Sequence, residues 1–225
     1  MVPAMQPAAR SESPARGAAK RPRGRPRKTA DERDDGNRRR ALIRGAARLF
    51  RRKGFDGTST RDIAAAAGMQ SGSPFYHFRS KQALLFAVME EGMRHAVGRQ
   101  QQAIAAAGME RLDPVAQLRL LVRHHFEVLL GPDSDFIPVM LYEARSVNAR
   151  QRATLAGLQG EYEGAWEPVL RALHASGRLK ADVKLARLLI FGALNWSVKW
   201  FDRRKGATLD ELTDAALALF IGELQ

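Results

Sequence analysis

Cysteine is absent from the 225-residue sequence, which excludes disulfide bonds and thiolate catalysis and is compatible with a reducing compartment. No apolar run approaches the roughly 20 residues that a membrane-spanning helix needs, and the N-terminus lacks the apolar segment of a signal peptide. We therefore expect a cytoplasmic protein with no membrane partner.

Sequence signatures of catalysis are also missing. No nucleophile–base spacing, phosphate-binding loop or cluster of metal ligands stands out. No segment alternates apolar and polar residues as a half-buried strand does. We expect an all-α fold, no enzymatic activity, and neither a cofactor nor a metal site.

The formal net charge of +13 lies almost entirely in the first 90 residues. Residues 1–40 contain 12 Lys and Arg against 5 Asp and Glu, residues 41–90 contain 8 against 3, and residues 91–225 contain 17 against 16. Basic charge confined to one part of a chain is typical of a DNA-binding domain joined to a separate sensing or pairing domain. Solubility alone would not require this asymmetry.

Helical periodicity and capping signals divide the chain into about nine helices. They cover approximately residues 38–53, 60–67, a short segment after Ser71, 81–107, 114–130, 136–147, 149–176 with a kink at Pro168, and two strongly apolar helices that begin after Asp182 and Thr208.

The stretch from Thr58 to Lys81 contains two helix start signals separated by a break. Ser59 and Asp62 have the spacing of a capping box, and Gly68 suits the left-handed position that ends a helix. Pro74 is compatible with the first turn of a second helix, where its missing N–H has no partner to lose. Two short helices across such a turn predict a helix-turn-helix, whose second helix enters the DNA major groove.

This stretch resembles the DNA-binding domain of the TetR family of bacterial transcription regulators. The resemblance covers roughly residues 38–90 and rests on the frame Thr58-Ser59-x-Arg61-Asp62-Ile63-Ala64-x-x-Ala67-Gly68, followed by Gly72-Ser73-x-x-x-x-Phe78-x-Ser80-Lys81. It departs from the family pattern at Phe75, where Tyr is usual, and at Pro74, where Leu is usual. The resemblance implies an all-α protein with a helix-turn-helix domain at residues 38–83 and a helical ligand-binding and dimerisation domain at residues 84–225.

Candidate DNA contacts follow from the positions of polar residues in this motif. Gln70, Ser71 and Ser73 lie near the start of the second helix and are the candidates for reading base edges. The candidates for contacting phosphates are Thr58, Ser59, Tyr76, His77 and Lys81.

Residues 1–37 are rich in Ala, Pro, Arg and Gly without apolar periodicity, so we expect a disordered basic arm. Its core, Arg23-Gly24-Arg25-Pro26 followed by Arg27, resembles an AT-hook. Such a slim backbone can place arginines in a narrow A·T-rich minor groove. A generic basic tail that contacts phosphates without specificity fits the same residues equally well.

The second half of the chain carries the expected effector and dimer sites. Its last two helices are apolar on more than one face, which predicts that a second subunit covers them. TetR-like proteins usually dimerise through their last two helices. Large flexible and aromatic side chains that could line an apolar ligand pocket are Phe86, Met89, Met93, Phe126, Met140, Tyr142, Trp166, Phe191, Asn195 and Trp196.

Asn195 is the most suggestive of these candidates, because an amide within an apolar helix must find a partner. His124 and His125 are interpreted as one solvated and one hydrogen-bonded histidine, with metal ligands or pH-sensitive groups as the alternatives. The segment from Asn195 to Arg204 loosely resembles a branch of the family that senses acyl-coenzyme A.

The sequence therefore predicts a dimeric, nucleoid-associated repressor of the bacterial cytoplasm that a small apolar or acyl-type effector releases from its DNA operator. The alternative is an AT-hook-bearing architectural DNA-binding protein with little sequence specificity.

Overall fold

The computed structural model describes residues 30–70, 74–131 and 134–222, but not the side chains of residues 30–34, 74, 75 and 203. This part of the chain contains helices and no strand, as the sequence predicted. The α-helices are α1 (Ala30–Lys53), α2 (Thr60–Ala66), α3 (Pro74–His77), α4 (Lys81–Ala107), α5 (Pro114–Leu130), α6 (Phe136–Glu143), α7 (Ala149–Gly164), α8 (Glu167–Ala175), α9 (Val183–Trp196) and α10 (Leu209–Ile221). Short 3-10 turns occupy Met109–Arg111, Ala144–Ser146, Ser197–Lys199 and Arg203–Lys205.

Local capping signals predicted most helix ends correctly. Ser80 begins α4, Asp113 begins α5, and Thr208 with Glu211 forms a capping box at α10. The C-cap of α4 is Gly108 in the left-handed conformation (φ 55°), which costs glycine least.

The start of α1 differs from the prediction. Residues 30–37 were assigned to the disordered arm, but α1 begins at Ala30. In this extension, the carboxylate of Asp35 lies 3.6 Å from the His77 ring on α3. Because this contact joins residues distant in sequence, apolar periodicity along α1 gave no sign of it.

The predicted long helix at residues 149–176 is broken into two helices, α7 and α8. Pro168 has no N–H to donate to the carbonyl of Gly164, where α7 ends. Trp166 lies at the break and is fully buried. A continuous helix with a kink was expected here. The break instead places the aromatic side chain of Trp166 in the core.

The helices enclose two apolar clusters that share α4. The first cluster joins α1, α2 and the start of α4 to Val139 of α6 and Leu155 of α7. The second contains the end of α4 with α5, α7, α8, α9 and α10. Helices α4 and α6 approach very closely, because a Cβ added to Gly92 would lie 2.5 Å from Cβ of Phe136. Helix α6 is thus held between the two clusters.

Candidate nucleic-acid interface and ligand cavity

The helix-turn-helix has the predicted local geometry. The Asp62 backbone N–H donates to Oγ of Ser59 over 3.1 Å, and the Ser59 N–H donates to the Asp62 carboxylate over 3.0 Å. Gly68 has φ 69°, as a glycine that ends α2 requires. Gln70 is exposed beyond the turn and available to bases, whereas Ser71 and Ser73 lie outside the described residues.

Four of the five predicted phosphate contacts are engaged within the protein. Thr58 is buried and donates to the Gly54 carbonyl over 2.7 Å. The Lys81 ammonium donates to the carbonyls of Phe55 and Thr58 over 2.8 and 3.0 Å. Thr58 and Lys81 therefore hold the turn before α2, and their role in contacting phosphates stays a prediction.

The other candidates differ in exposure. The Ser59 hydroxyl donates to Asp62 within the capping box, and the His77 side chain is only 6% exposed beside Asp35. Tyr76 is 83% exposed and Ser59 is exposed as well, so both are accessible to phosphates. Arg61 and Arg79, which were not among the predicted DNA contacts, are also exposed and have no carboxylate partner among the described residues.

A cavity of about 400 Å³ lies in the second half of the chain, bounded by α4, α5, α6, α7 and α9. Four predicted residues line it: Met93, Met140, Phe191 and Asn195. Its remaining walls are Ala96, His125, Val128, Ile137, Leu141, Ala144, Arg152, Leu155, Ala156, Gln159, Tyr162 and Glu163.

Six predicted pocket residues do not line this cavity. Phe86 and Met89 lie one to two turns before Met93 on α4 and pack in the first cluster. Phe126 and Trp166 are buried in the second cluster, where the Trp166 ring lies 4.7 Å from the Phe191 ring. Tyr142 and Trp196 are on the outside, 42% and 62% exposed. Size and polarity suggested these side chains, but the face of the helix decides which of them reach the cavity.

Three polar side chains form a chain at the wall of the cavity. The His125 Nδ1 lies 3.1 Å from the Tyr162 hydroxyl, and its Nε2 lies 3.1 Å from Oδ1 of Asn195. Burial lowers the pKa of His125 to about 4, and the hydrogen bond to Asn195 opposes this only in part. Burial also raises the pKa of Tyr162 above its ordinary value. At neutral pH the cavity therefore presents a neutral imidazole and a protonated phenol.

His124 is buried as well, although the sequence suggested that one histidine of the pair is solvated. Burial lowers its pKa, Arg99 adds to the effect, and Glu127 opposes it. Its Nε2 is buried without a hydrogen-bond partner among the described residues.

The charged groups of the cavity wall differ in their pairing. The Glu163 carboxylate accepts hydrogen bonds from Arg187 and from the Gln159 amide, so its charge is compensated. Arg152 donates to the Val147 carbonyl and has no described carboxylate partner. Arg145 and Arg150 lie nearby in sequence, are exposed, and likewise have none. We call Arg145, Arg150 and Arg152 the basic rim.

Helix α6 connects the cavity to the helix-turn-helix. Ile137, Met140 and Leu141 line the cavity from α6. At the ends of the same helix, the Arg51 guanidinium on α1 lies 3.0 Å from the Asp135 carboxylate, and the Phe55 N–H donates to Oε1 of Glu143 over 2.9 Å. Immediately after α6, the carbonyl of Ser146 accepts a 2.8 Å hydrogen bond from the Gln82 amide of α4.

Helices α9 and α10 both present apolar side chains to the outside. On α9, Leu185, Leu188 and Leu189 are 58%, 56% and 68% exposed, and Trp196 continues the same stripe. On α10, Leu219 is 83% exposed and follows the exposed Ala215 and Ala218. No helix of the described part of the chain is long and apolar enough to cross a membrane.

Family models match both halves of the chain. Residues 42–88 match the model described as "Bacterial regulatory proteins, tetR family", and residues 111–224 match "Tetracyclin repressor-like, C-terminal domain". The chain belongs to the TetR family. The transcriptional repressor KstR2 of Rhodococcus jostii is 30% identical over 192 residues, which are 83% of this chain and 91% of KstR2. This TetR-family chain is a ligand-responsive, DNA-binding transcriptional repressor.

Two solved structures show the same fold with ligands. AibR in complex with isovaleryl coenzyme A and operator DNA has a TM-score of 0.72 and 25% identity, covering 83% of this chain and all of that one (100%). FadR of Bacillus subtilis in complex with stearoyl-CoA has a TM-score of 0.64 and 25% identity, covering 82% of this chain and 99% of that one.

Proposed function

We propose that this TetR-family repressor binds its operator as a homodimer and is released by an acyl-coenzyme A. The observation that carries the proposal is the apolar cavity of about 400 Å³, one wall of which is α6, the helix that is also hydrogen-bonded to the helix-turn-helix. A ligand in this cavity contacts the same helix that positions the DNA-reading domain.

The chemistry of the cavity favours an acyl thioester. Its lining is mainly apolar, which suits an acyl chain. The phosphorylated nucleotide of coenzyme A is too polar and too large for this space and must lie outside. The basic rim supplies three guanidinium groups without described carboxylate partners, of which that of Arg152 lies in the cavity wall and the other two are its neighbours in sequence. Arginine binds phosphate in a bidentate manner. AibR and FadR, two proteins of the same fold, hold isovaleryl coenzyme A and stearoyl-CoA.

The basic residues after α9 fit this phosphate role less well. Nε and Nη2 of Arg204 each donate a 3.0 Å hydrogen bond to the Asp202 carboxylate. The Lys199 ammonium lies 4.0 Å from the centre of the Tyr142 ring. The basic rim is therefore a better candidate than Lys199 and Arg204.

Dimerisation through α9 and α10 is supported by their exposed apolar stripes. Leu185, Leu188 and Leu189 are each more than half exposed and lie at helical spacing on one face of α9, and a clustered apolar patch of this kind is typical of an interaction surface. A second copy of the chain, with the same stripes related by a two-fold axis, would cover them. The dimer also places two reading helices on one face, which compensates for the shortness of α3.

The mechanism is a shift between two conformations of the dimer. The free protein holds its reading helices at the spacing of an operator with two half-sites. The effector binds more tightly to a second conformation, in which α6 has moved. It can lower the operator affinity at most by the factor by which its own affinity differs between the two conformations.

Operator release tests this proposal. An operator is selected from random DNA by repeated binding, and its dissociation constant is measured by fluorescence anisotropy with acyl-coenzyme A of increasing chain length. We expect at least one thioester to raise the dissociation constant by about tenfold or more, while free coenzyme A and the free fatty acid leave it unchanged. If no acyl-coenzyme A changes the affinity at any chain length, the proposed effector class is wrong.

The same assay tests sequence reading. Gln70→Ala should weaken operator binding by about tenfold, the usual range for one base contact, and random-DNA binding much less. Equal losses on both DNAs would remove Gln70 as a base-reading residue. Similar affinities of the wild type for operator and random DNA would support the architectural alternative.

A further inference from the structure

The chain of Tyr162, His125 and Asn195 leaves one polar group of the cavity without a partner. The oxygen Oδ1 of Asn195 lies 3.1 Å from Nε2 of His125. The amide nitrogen Nδ2 forms no hydrogen bond with any described group, although Asn195 lines the cavity and is only half-buried. Since the surrounding wall is mainly apolar, this amide is one of the few directional groups that a bound ligand can meet.

The hydroxyl of Tyr162 decides how the amide is oriented. Tyr162 is buried, and among the described residues its hydroxyl has one partner, Nδ1 of His125, at 3.1 Å. If Nδ1 carried the imidazole proton, the hydroxyl would have to accept, and its own proton would be buried without an acceptor, which is costly. The favoured arrangement therefore has Tyr162 donating to Nδ1 and the Nε2–H of His125 donating to Oδ1 of Asn195.

This arrangement fixes the amide of Asn195 with its oxygen toward His125 and its two N–H donors away from it. The assignment follows from hydrogen-bond satisfaction, since donor and acceptor roles depend on the tautomer. A flipped amide would place Nδ2 against the Nε2–H, so that two donors would face each other.

We propose that the amide N–H of Asn195 binds the thioester carbonyl oxygen of the effector, with His125 and Tyr162 as positioning residues. The inference rests on the proposed acyl-coenzyme A function. Asn195 then selects for a carbonyl group, because a ligand that fills the cavity without an acceptor strips water from the amide and leaves it unpaired.

A pair of matched ligands tests the role of Asn195. One is the saturated acyl-coenzyme A that releases the operator best, and the other is the S-alkyl-coenzyme A of equal length, in which a methylene replaces the carbonyl. Both are titrated calorimetrically into the full-length dimer. We expect the wild type to bind the thioester about tenfold more tightly than the thioether, the factor that one hydrogen bond of ordinary strength provides.

The variants locate this preference. Asn195→Leu should bind both ligands equally, through loss of affinity for the thioester alone. Gln159→Leu is the matched control, because this second amide of the cavity wall already donates to Glu163 over 2.7 Å and should retain the tenfold preference. Tyr162→Phe should reduce the preference for the thioester, because the imidazole proton of His125 is then no longer fixed on Nε2. Its affinity for the thioether should stay near that of the wild type.

The outcomes separate this inference from the proposed function. If the wild type binds thioester and thioether equally well, the role of Asn195 is overturned while the effector class stands. If neither coenzyme A derivative binds, both ideas fail. The ligand comparison uses the wild-type protein, so it remains decisive even if Asn195→Leu does not fold.

Discussion

The backbone N–H of Phe55 donates a 2.9 Å hydrogen bond to the carboxylate of Glu143. Phe55 follows the end of α1 in the DNA-reading domain, and Glu143 is the last residue of α6, the cavity-lining helix. The bond crosses 88 positions of sequence and joins the two parts whose coupling the function requires. It is accompanied by the ion pair between Arg51 and Asp135 at the opposite end of α6.

We therefore expect Glu143→Leu to uncouple effector binding from operator release. The effector should bind with nearly unchanged affinity, since Glu143 does not line the cavity. The ratio of operator dissociation constants with and without effector should fall by about fivefold or more toward one, because a typical coupling free energy is only about 1–3 kcal/mol. Anisotropy with labelled operator measures the ratio.

Glu143→Gln is the matched control for this prediction. The amide oxygen can still accept the hydrogen bond from Phe55, so most of the coupling should remain. An unchanged ratio in Glu143→Leu would mean that α6 transmits the signal through other contacts.

Lys81, a predicted phosphate contact, also has a structural role. Its ammonium is hydrogen-bonded to the carbonyls of Phe55 and Thr58 and lies 4.2 Å from the centre of the Phe55 ring. Lys81→Met should lower the free energy of unfolding by about 1–2 kcal/mol, since hydrogen bonds from a charged donor are lost. If these two carbonyls keep the ammonium away from phosphate, the salt dependence of DNA binding should stay unchanged. Urea unfolding and salt titrations measure the two effects.

Tyr76→Phe should show the opposite pattern. Its hydroxyl is exposed and has no described hydrogen-bond partner, so stability should not change, whereas operator affinity should fall by about threefold to tenfold from one lost hydrogen bond.

A stable Lys81→Met protein with a reduced salt slope would instead support Lys81 as a phosphate contact.

The helix-turn-helix could be predicted because its determinants are local. Ser59 and Asp62 are three positions apart, and Gly68 needs only its own backbone conformation. The environment of Lys81 could not be predicted in the same way, because its acceptor on Phe55 lies 26 positions away. The place of Lys81 in the family motif gave no sign of these intramolecular hydrogen bonds.

The cavity was only partly predictable for the same reason. Met89 and Met93 are one turn apart on α4 and equally suited to line an apolar pocket, yet only Met93 does so. The difference arises from where α6 crosses α4, at Gly92 and Phe136, which is a property of the packed structure. Tyr162 was missed because one tyrosine on a polar helix carries no pattern of its own.

Protonation of His125 predicts a pH dependence of stability. Burial lowers its pKa from 6.5 to about 4. Between these values the unfolded chain binds a proton that the folded protein does not, so the free energy of unfolding falls as the pH decreases from 6.5 to 4 and this contribution levels off below 4. The loss from pH 7 to pH 5 should be about 2 kcal/mol.

Urea unfolding at several pH values, at one protein concentration, measures this effect. His125→Gln should lose about 2 kcal/mol less than the wild type over the same range, even if it is less stable at pH 7. His124, whose pKa is also lowered, contributes in the same direction to both proteins. Equal pH slopes in wild type and variant would show that His125 is not protected from protonation.

The stripes on α9 and α10 predict the effect of a charge at the dimer interface. Leu189 is 68% exposed in the protomer, so Leu189→Glu should leave its fold intact. A carboxylate buried without a partner should shift the protein to monomer in sedimentation experiments and weaken operator binding by about tenfold or more. Ala106→Glu on the exposed end of α4 is the control and should remain dimeric. A dimeric Leu189→Glu protein would place the interface elsewhere.

The N-terminal arm, which lies outside the described residues apart from the first turns of α1, separates the regulator from the architectural alternative. Deleting residues 1–28 removes Arg23, Arg25 and Arg27 with their neighbours. If these three arginines neutralise phosphates, the slope of log affinity against log salt concentration should become shallower by about 3. Replacing only the three with Gln should reproduce the change, which distinguishes them from the rest of the arm.

For the repressor, the ratio of operator to random-DNA affinity should persist after deletion, because specificity lies in the helix-turn-helix. If the ratio is near one for the full chain and affinity depends mainly on the arm, DNA binding is architectural; an unchanged slope would mean that the arm does not contact DNA.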